Sequence, residues 1–120
     1  MTAPRLGSLL LGFGLLAAPS WADSPVIVEA SVEKSSGGWR FDVTIAHPDT
    51  GWDHYADGWG VYLPDGTELG FRTLLHPHVD EQPFTRSLNG VQVPQGTTQV
   101  IVRPRDSLGD WGEAVAVTLP

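Results

Sequence analysis

From Pro25 onward, apolar and polar residues alternate with a period of two. Turn residues interrupt the alternation about every ten positions, the rhythm of an all-β sandwich built from short strands. The first strand is Pro25 to Val32, followed by the turn Ser35-Ser36-Gly37-Gly38. The second runs from Trp39 to about Ala46. Phe41, Val43 and Ile45 share one face of it, and Arg40, Asp42 and Thr44 share the other, so one face is buried and one is wet. Pro48 ends this strand, because proline has no amide proton for a ladder. Further strands are expected at Gly58 to Leu63, at Thr67 to Leu75 with Leu69, Phe71, Thr73 and Leu75 on one side, and at Phe84 to about Val93, bent near Asn89-Gly90. The sixth, Thr97 to Arg103, turns Val100 and Val102 inward, and the last runs from Glu113 to Leu119. Pro64-Asp65-Gly66 and Pro94-Gln95-Gly96 are turn signals between them.

About seven such strands, antiparallel and in one domain, match an immunoglobulin-like sandwich. The stretch Thr97-Thr98-Gln99-Val100-Ile101-Val102-Arg103-Pro104-Arg105-Asp106-Ser107-Leu108-Gly109-Asp110-Trp111-Gly112-Glu113 resembles, in particular, the penultimate strand, glycine-bearing loop and last-strand entry of fibronectin type III domains. The resemblance implies that architecture for residues 23–120. The loop motifs Trp52-Asp53-His54-Tyr55-Ala56-Asp57 and His76-Pro77-His78-Val79-Asp80-Glu81-Gln82-Pro83-Phe84-Thr85-Arg86-Ser87 are similar to those of small exported bacterial proteins without an assigned activity. That likeness implies a compartment and no mechanism.

The first 22 residues have a different character. Arg5 is followed by an apolar run from Leu6 to Ala18 and by Ser20-Trp21-Ala22, a small-x-small cleavage site. This is the pattern of a secretory signal peptide, with a mature chain from Asp23 in the periplasm or outside the cell. The run is shorter than the about 20 residues a membrane-spanning helix needs, so no stable insertion is expected after cleavage. The chain has no cysteine, so an exported domain of this sequence relies on packing and offers no thiolate. The formal charge is −7, and loss of Arg5 takes it to −8. A surface of that sign repels phosphate backbones and argues against a nucleic-acid partner.

Strand direction decides where the chemistry collects. Loops after the second, fourth and sixth strands lie at one end of the sandwich. That end therefore receives all four histidines (His47, His54, His76 and His78), together with Asp53, Asp57, Asp80, Asp110 and Trp111. The opposite end receives turn glycines. Function concentrates on loops that a rigid scaffold positions. Imidazole and carboxylate in one place suit a transition metal, with copper and zinc both open. His76 and His78, two apart in an extended segment stiffened by Pro77, project the same way. With His54 as third ligand and Asp57, or else Asp53 or His47, as fourth, they form the expected site, since three histidines and an open position is an arrangement zinc uses. His47, at a strand end before proline, reads as structural.

Two other readings compete. The loop aromatics Trp52, Tyr55 and Trp111 could instead bind an exported protein or another ligand with no metal involved, because aromatic side chains dominate interface energetics. An enzyme is not expected. Asp53 and Asp57 flank His54, but no nucleophile elbow or recognisable acid pair accompanies them. Arg86 is expected to pair with Asp80 or Glu81.

Overall fold

The computed structural model describes residues 24–120, so the expected leader and its cleavage point lie outside the described residues. Seven strands follow one another: β1 (Val26–Ser35), β2 (Gly38–Ala46), β3 (Ala56–Tyr62), β4 (Glu68–Thr73), β5 (Phe84–Val91), β6 (Gln99–Asp106) and β7 (Val115–Thr118). They form a three-stranded sheet in the order β1-β2-β5 and a four-stranded sheet in the order β4-β3-β6-β7. Every pairing is antiparallel. Three hairpins, β1–β2, β3–β4 and β6–β7, stay within a sheet, and the chain changes sheet after β2, β4 and β5.

The alternation in the sequence explains the core. Phe41, Val43 and Ile45 from β2 face Trp59 and Val61 from β3 and Val100 and Val102 from β6, all fully or almost fully buried. Burying side chains of this size contributes about 1.5–3 kcal/mol each. The tight β1–β2 hairpin brings Gly38 against β5, and a Cβ there would lie 2.7 Å from the Val91 carbonyl oxygen. Its φ of 134° is also in the region that favours glycine.

Local details differ from simple alternation or refine it. The register of β2 against β5 slips between Trp39 and Phe41, opposite Leu88 to Val91, which is the bend expected at Asn89-Gly90. In β4, Phe71 lies against Trp111 and Arg105 on the outer face of its sheet. Leu74 enters the core while Leu75 is 76 % exposed. Finally, β6 continues past Arg103 to Asp106. Pro104 is tolerated there because the regular ladder to β7 ends at Val102; beyond it the chain keeps only a hydrogen bond from the Gly112 amide to the Pro104 carbonyl and the single Arg105–Trp111 bridge.

The loops after β2, β4 and β6 do meet. Asp49 accepts hydrogen bonds from the Ala56 and His78 amides. The His47 amide donates to Gln82 Oε1, whose own amide nitrogen donates to the His78 carbonyl. The Ser107 amide donates to the Tyr55 carbonyl, and the Tyr55 amide donates to Ser107 Oγ.

Candidate metal centre

The inward face of β2 does not stop with the strand. The parity of Phe41, Val43 and Ile45 carries on through His47 and Asp49, both buried. On β6 the parity of Val100 and Val102 carries through Pro104 to Asp106, which is fully buried. The two strand ends thus deliver an imidazole and two carboxylates into the interior at the pole of the sandwich. His54 arrives by another route. A tight turn at Gly51–His54, closed by hydrogen bonds between Thr50 and His54 and between His54 and Gly51, folds it back over His47. The two rings meet edge to face, 4.7 Å apart.

His47 and Asp106 each have their second atom occupied. His47 Nδ1 lies 2.5 Å from Asp49 Oδ1. An ionised carboxylate only accepts, so Nδ1 carries a proton, and in the neutral ring Nε2 then carries the lone pair. Asp106 Oδ1 accepts from the Leu108 and Asp110 amides, which fixes the carboxylate plane. Its Oδ2 then faces His54 Nε2 at 3.0 Å and His47 Nε2 at 3.6 Å. His47 Nε2 is buried and has no hydrogen-bond partner. A buried polar atom without a partner costs about 1–3 kcal/mol and calls for an explanation. One ligand atom from each of His47, His54 and Asp106 lies within 4.8 Å of the others. Among the described residues, this is the histidine–carboxylate group with the spacing of a metal site. The side chains of His47 and Asp106 are inaccessible, and His54 is 17 % exposed, so His54 is the face the cluster turns to solvent.

The residues expected from sequence are distributed differently. Of the set His54, His76, His78 and Asp57, only His54 belongs to this cluster. His76 and His78 sit together with ring centroids 4.7 Å apart, and His78 stacks flat on Phe84 at 3.9 Å. Asp57 is engaged by the Arg105 guanidinium at 3.0 Å. A slip in register between Ala56 and Gly58 turns it out of the core line of Trp59 and Val61. Of the aromatics, Trp52 and Tyr55 are in edge contact at 5.7 Å. Trp111 is elsewhere, packed with Tyr62, Phe71, Arg103 and Arg105 on the outer face of the four-stranded sheet. Arg86 pairs with Glu81 at 3.1 Å. His47 has a structural bond, as expected, but its other nitrogen is a candidate ligand. Asp49 and Asp106 were not singled out from sequence, although carrying the strand parity two steps past Ile45 and two steps past Val102 reaches them.

His78 is held below the ordinary imidazole value of 6.5 by burial first, and then by the charges of Arg86 and His76. Unfolded chains therefore bind this proton more readily than folded ones. The stability His78 supports is present above about pH 6.5 and is lost as pH falls below it. In metal-free protein, melting temperature is expected to fall from pH 7.5 to 5.5, and His78→Gln is expected to flatten that slope. An equal slope in both proteins would refute the assignment.

No family model matches the chain, and no solved structure matches it. A curated protein of Halomicrobium mukohataei, described as a "Putative lipoprotein", is 43 % identical over 93 residues. The match covers 76 % of this chain and 45 % of the relative, so the chain spans about half the length of the protein it matches. No helix among the described residues is long and apolar enough to cross a membrane.

Proposed function

We propose that this chain is an exported, non-enzymatic metal-binding module that holds one zinc or copper ion through His47 Nε2, His54 Nε2 and Asp106 Oδ2. The observation that carries the reading is the unpartnered His47 Nε2, buried beside a carboxylate oxygen and a second imidazole. Asp49 behind His47 and the loop amides behind Asp106 are the outer contacts that orient metal ligands. Two imidazoles and one carboxylate are a ligand set zinc and copper accept, with solvent reaching the ion past His54. The ion would take the place of the proton between His54 Nε2 and Asp106, so uptake releases a proton and weakens as pH falls. Export is supported by the leader pattern and by the description of the Halomicrobium protein. We also class the sandwich as fibronectin type III-like, on the strand orders β1-β2-β5 and β4-β3-β6-β7 together with the 97–113 resemblance.

The test is a competition titration of purified, tag-free protein with Zn(II) and Cu(II). Tight binding that is lost in His47→Gln and in His54→Gln is the expected result. No binding tighter than about millimolar, or binding indifferent to both substitutions, would refute it.

One observation favours a second reading, docking of an exported protein partner. Trp52 is 69 % exposed, and Leu75, Val79 and Leu108 are exposed on the three loops of the same pole. Under that reading, Trp52→Ala abolishes partner capture while the thermal melt and metal uptake stay unchanged.

A further inference from the structure

We infer that the outer face of the four-stranded sheet is a binding groove for a short acidic saccharide, one that carries a single uronic-acid carboxylate. The groove is separate from the metal pole and does not rest on it. On β6, Asp106 is buried in the interior, whereas Arg103 and Arg105 hold the opposite parity and lie outside.

Glycine makes the floor. Trp59 and Val61 of β3 face the core, so Gly58 and Gly60 fall on the outer side. With no side chains there, the rings of Phe71 and Tyr62 lie down on the β3 backbone. A Cβ at Gly58 would collide with the Phe71 ring, and one at Gly60 with the Tyr62 ring. Opposite Gly60 stand Phe71 on β4 and Arg103 on β6. Trp111 comes in from the β6–β7 loop, its ring 6.3 Å from that of Tyr62 and 6.5 Å from that of Phe71, steeply inclined to both. It is 38 % exposed. The three rings line a groove of about 770 Å³, within the range of small-molecule sites.

Arg103 supplies the charge. Arg40, Arg86 and Arg105 are paired with carboxylates, and Arg72 donates to the Ser87 carbonyl. Arg103 stacks on Trp111 at 4.9 Å and, among the described residues, has no carboxylate or hydrogen-bond partner. Stacking uses the face of a guanidinium and leaves its N–H edge to take a carboxylate in two parallel bonds.

The rim favours a sugar. Glu68 accepts from hydroxyls, and Thr73 both donates and accepts. The Tyr62 hydroxyl keeps its proton to donate, because burial first and then the charge of Glu68 push it above its ordinary value. Polar groups spread around aromatic rings suit a ligand with apolar faces and a hydroxylated edge. An extended peptide needs an unpaired strand edge, and the floor strand β3 is paired on both sides. A polyanion is repelled by a chain of formal charge −7. One unpartnered guanidinium against that charge sets the ligand at one carboxylate.

The experiment titrates uronic-acid disaccharides of differing linkage into the tag-free protein. Each is run beside the neutral disaccharide in which a hydroxymethyl group replaces the carboxylate. Calorimetry gives affinity, and the indole N–H resonances report which tryptophan is touched. At least one acidic member is expected to bind at millimolar Kd or tighter, to shift the Trp111 indole, and to exceed its neutral counterpart about tenfold. Arg103→Gln is expected to erase that advantage, and Trp111→Ala to erase binding. Trp111→Phe keeps a ring for Arg103 and should retain it. His54→Gln should leave saccharide binding intact. No acidic member binding below about 10 mM would overturn the inference. So would equal affinity for the neutral members, an acid advantage that survives Arg103→Gln, or binding that survives Trp111→Ala. Benzoate, which has the ring and the carboxylate without the hydroxyls, binding as tightly would overturn it as well.

Discussion

Replacing Asp49 by alanine is expected to produce the largest loss of stability of any single polar substitution at the pole. Its two oxygens accept from the Ala56 amide, the His78 amide and His47 Nδ1, and all three bonds are buried. Alanine would leave those donors without partners in a place water does not reach. Breaking a buried, charge-assisted set of this kind costs about 3–5 kcal/mol. In a domain of this size each kcal/mol lowers the melting temperature by about 4–8 °C, so a fall of about 12 °C or more should be seen by calorimetry. Asp49→Asn keeps one acceptor oxygen and should recover part of the loss. Asparagine cannot accept from His47 and Ala56 and also from His78. A melting temperature within a few degrees of wild type for Asp49→Ala would show that the loops are held together by something else.

Asp106 gives the second large effect, and there fold and binding can be separated. Its Oδ1 accepts from the Leu108 and Asp110 amides and shapes the β6–β7 loop, while its Oδ2 faces the two imidazoles. Asp106→Ala removes both functions and is expected to cost about 2–4 kcal/mol, because the charge-assisted bonds go and their donors stay buried. Asp106→Asn can keep the two amide bonds through its remaining oxygen. It puts an NH2 where the ion should sit, so metal affinity is expected to fall by at least the about 10–100-fold seen when outer contacts of a metal site are removed. The expected pattern is a large melting shift for alanine, a small one for asparagine, and loss of zinc or copper binding in both. Undiminished binding by Asp106→Asn would remove Asp106 from the ligand set.

Why the sequence led to His54, His76, His78 and Asp57 can be traced residue by residue. Topology alone brings the three loops together, and strand count with alternation was enough to expect that. Which side chains meet within the pole depends on where each inward line ends. The line through Phe41, Val43 and Ile45 ends in His47 and Asp49, and the line through Val100 and Val102 ends in Asp106. Pro48 and Pro104 hide these continuations, because proline reads as the end of a strand. Asp57 misleads in the opposite way. It shares parity with Trp59 and Val61, but a slip in register that no residue type announces turns it outward to Arg105. Trp111 was placed at the pole by its loop number, whereas Arg103 and Arg105 draw its ring down onto the sheet by cation–π contact.

The one-dimensional pattern determined that this protein is an all-β sandwich with its histidines at one end, because a period of two and the direction of successive strands are local properties of the chain. Only the packing of one sheet on the other decided that His47, His54 and Asp106 face one another while His78 lies beside Asp49, between the rings of His76 and Phe84. Those contacts join residues far apart in the chain, as in His54 and Asp106, 52 positions apart. They depend on register and bulges, which shift a side chain from one face of a strand to the other for a single residue of slip.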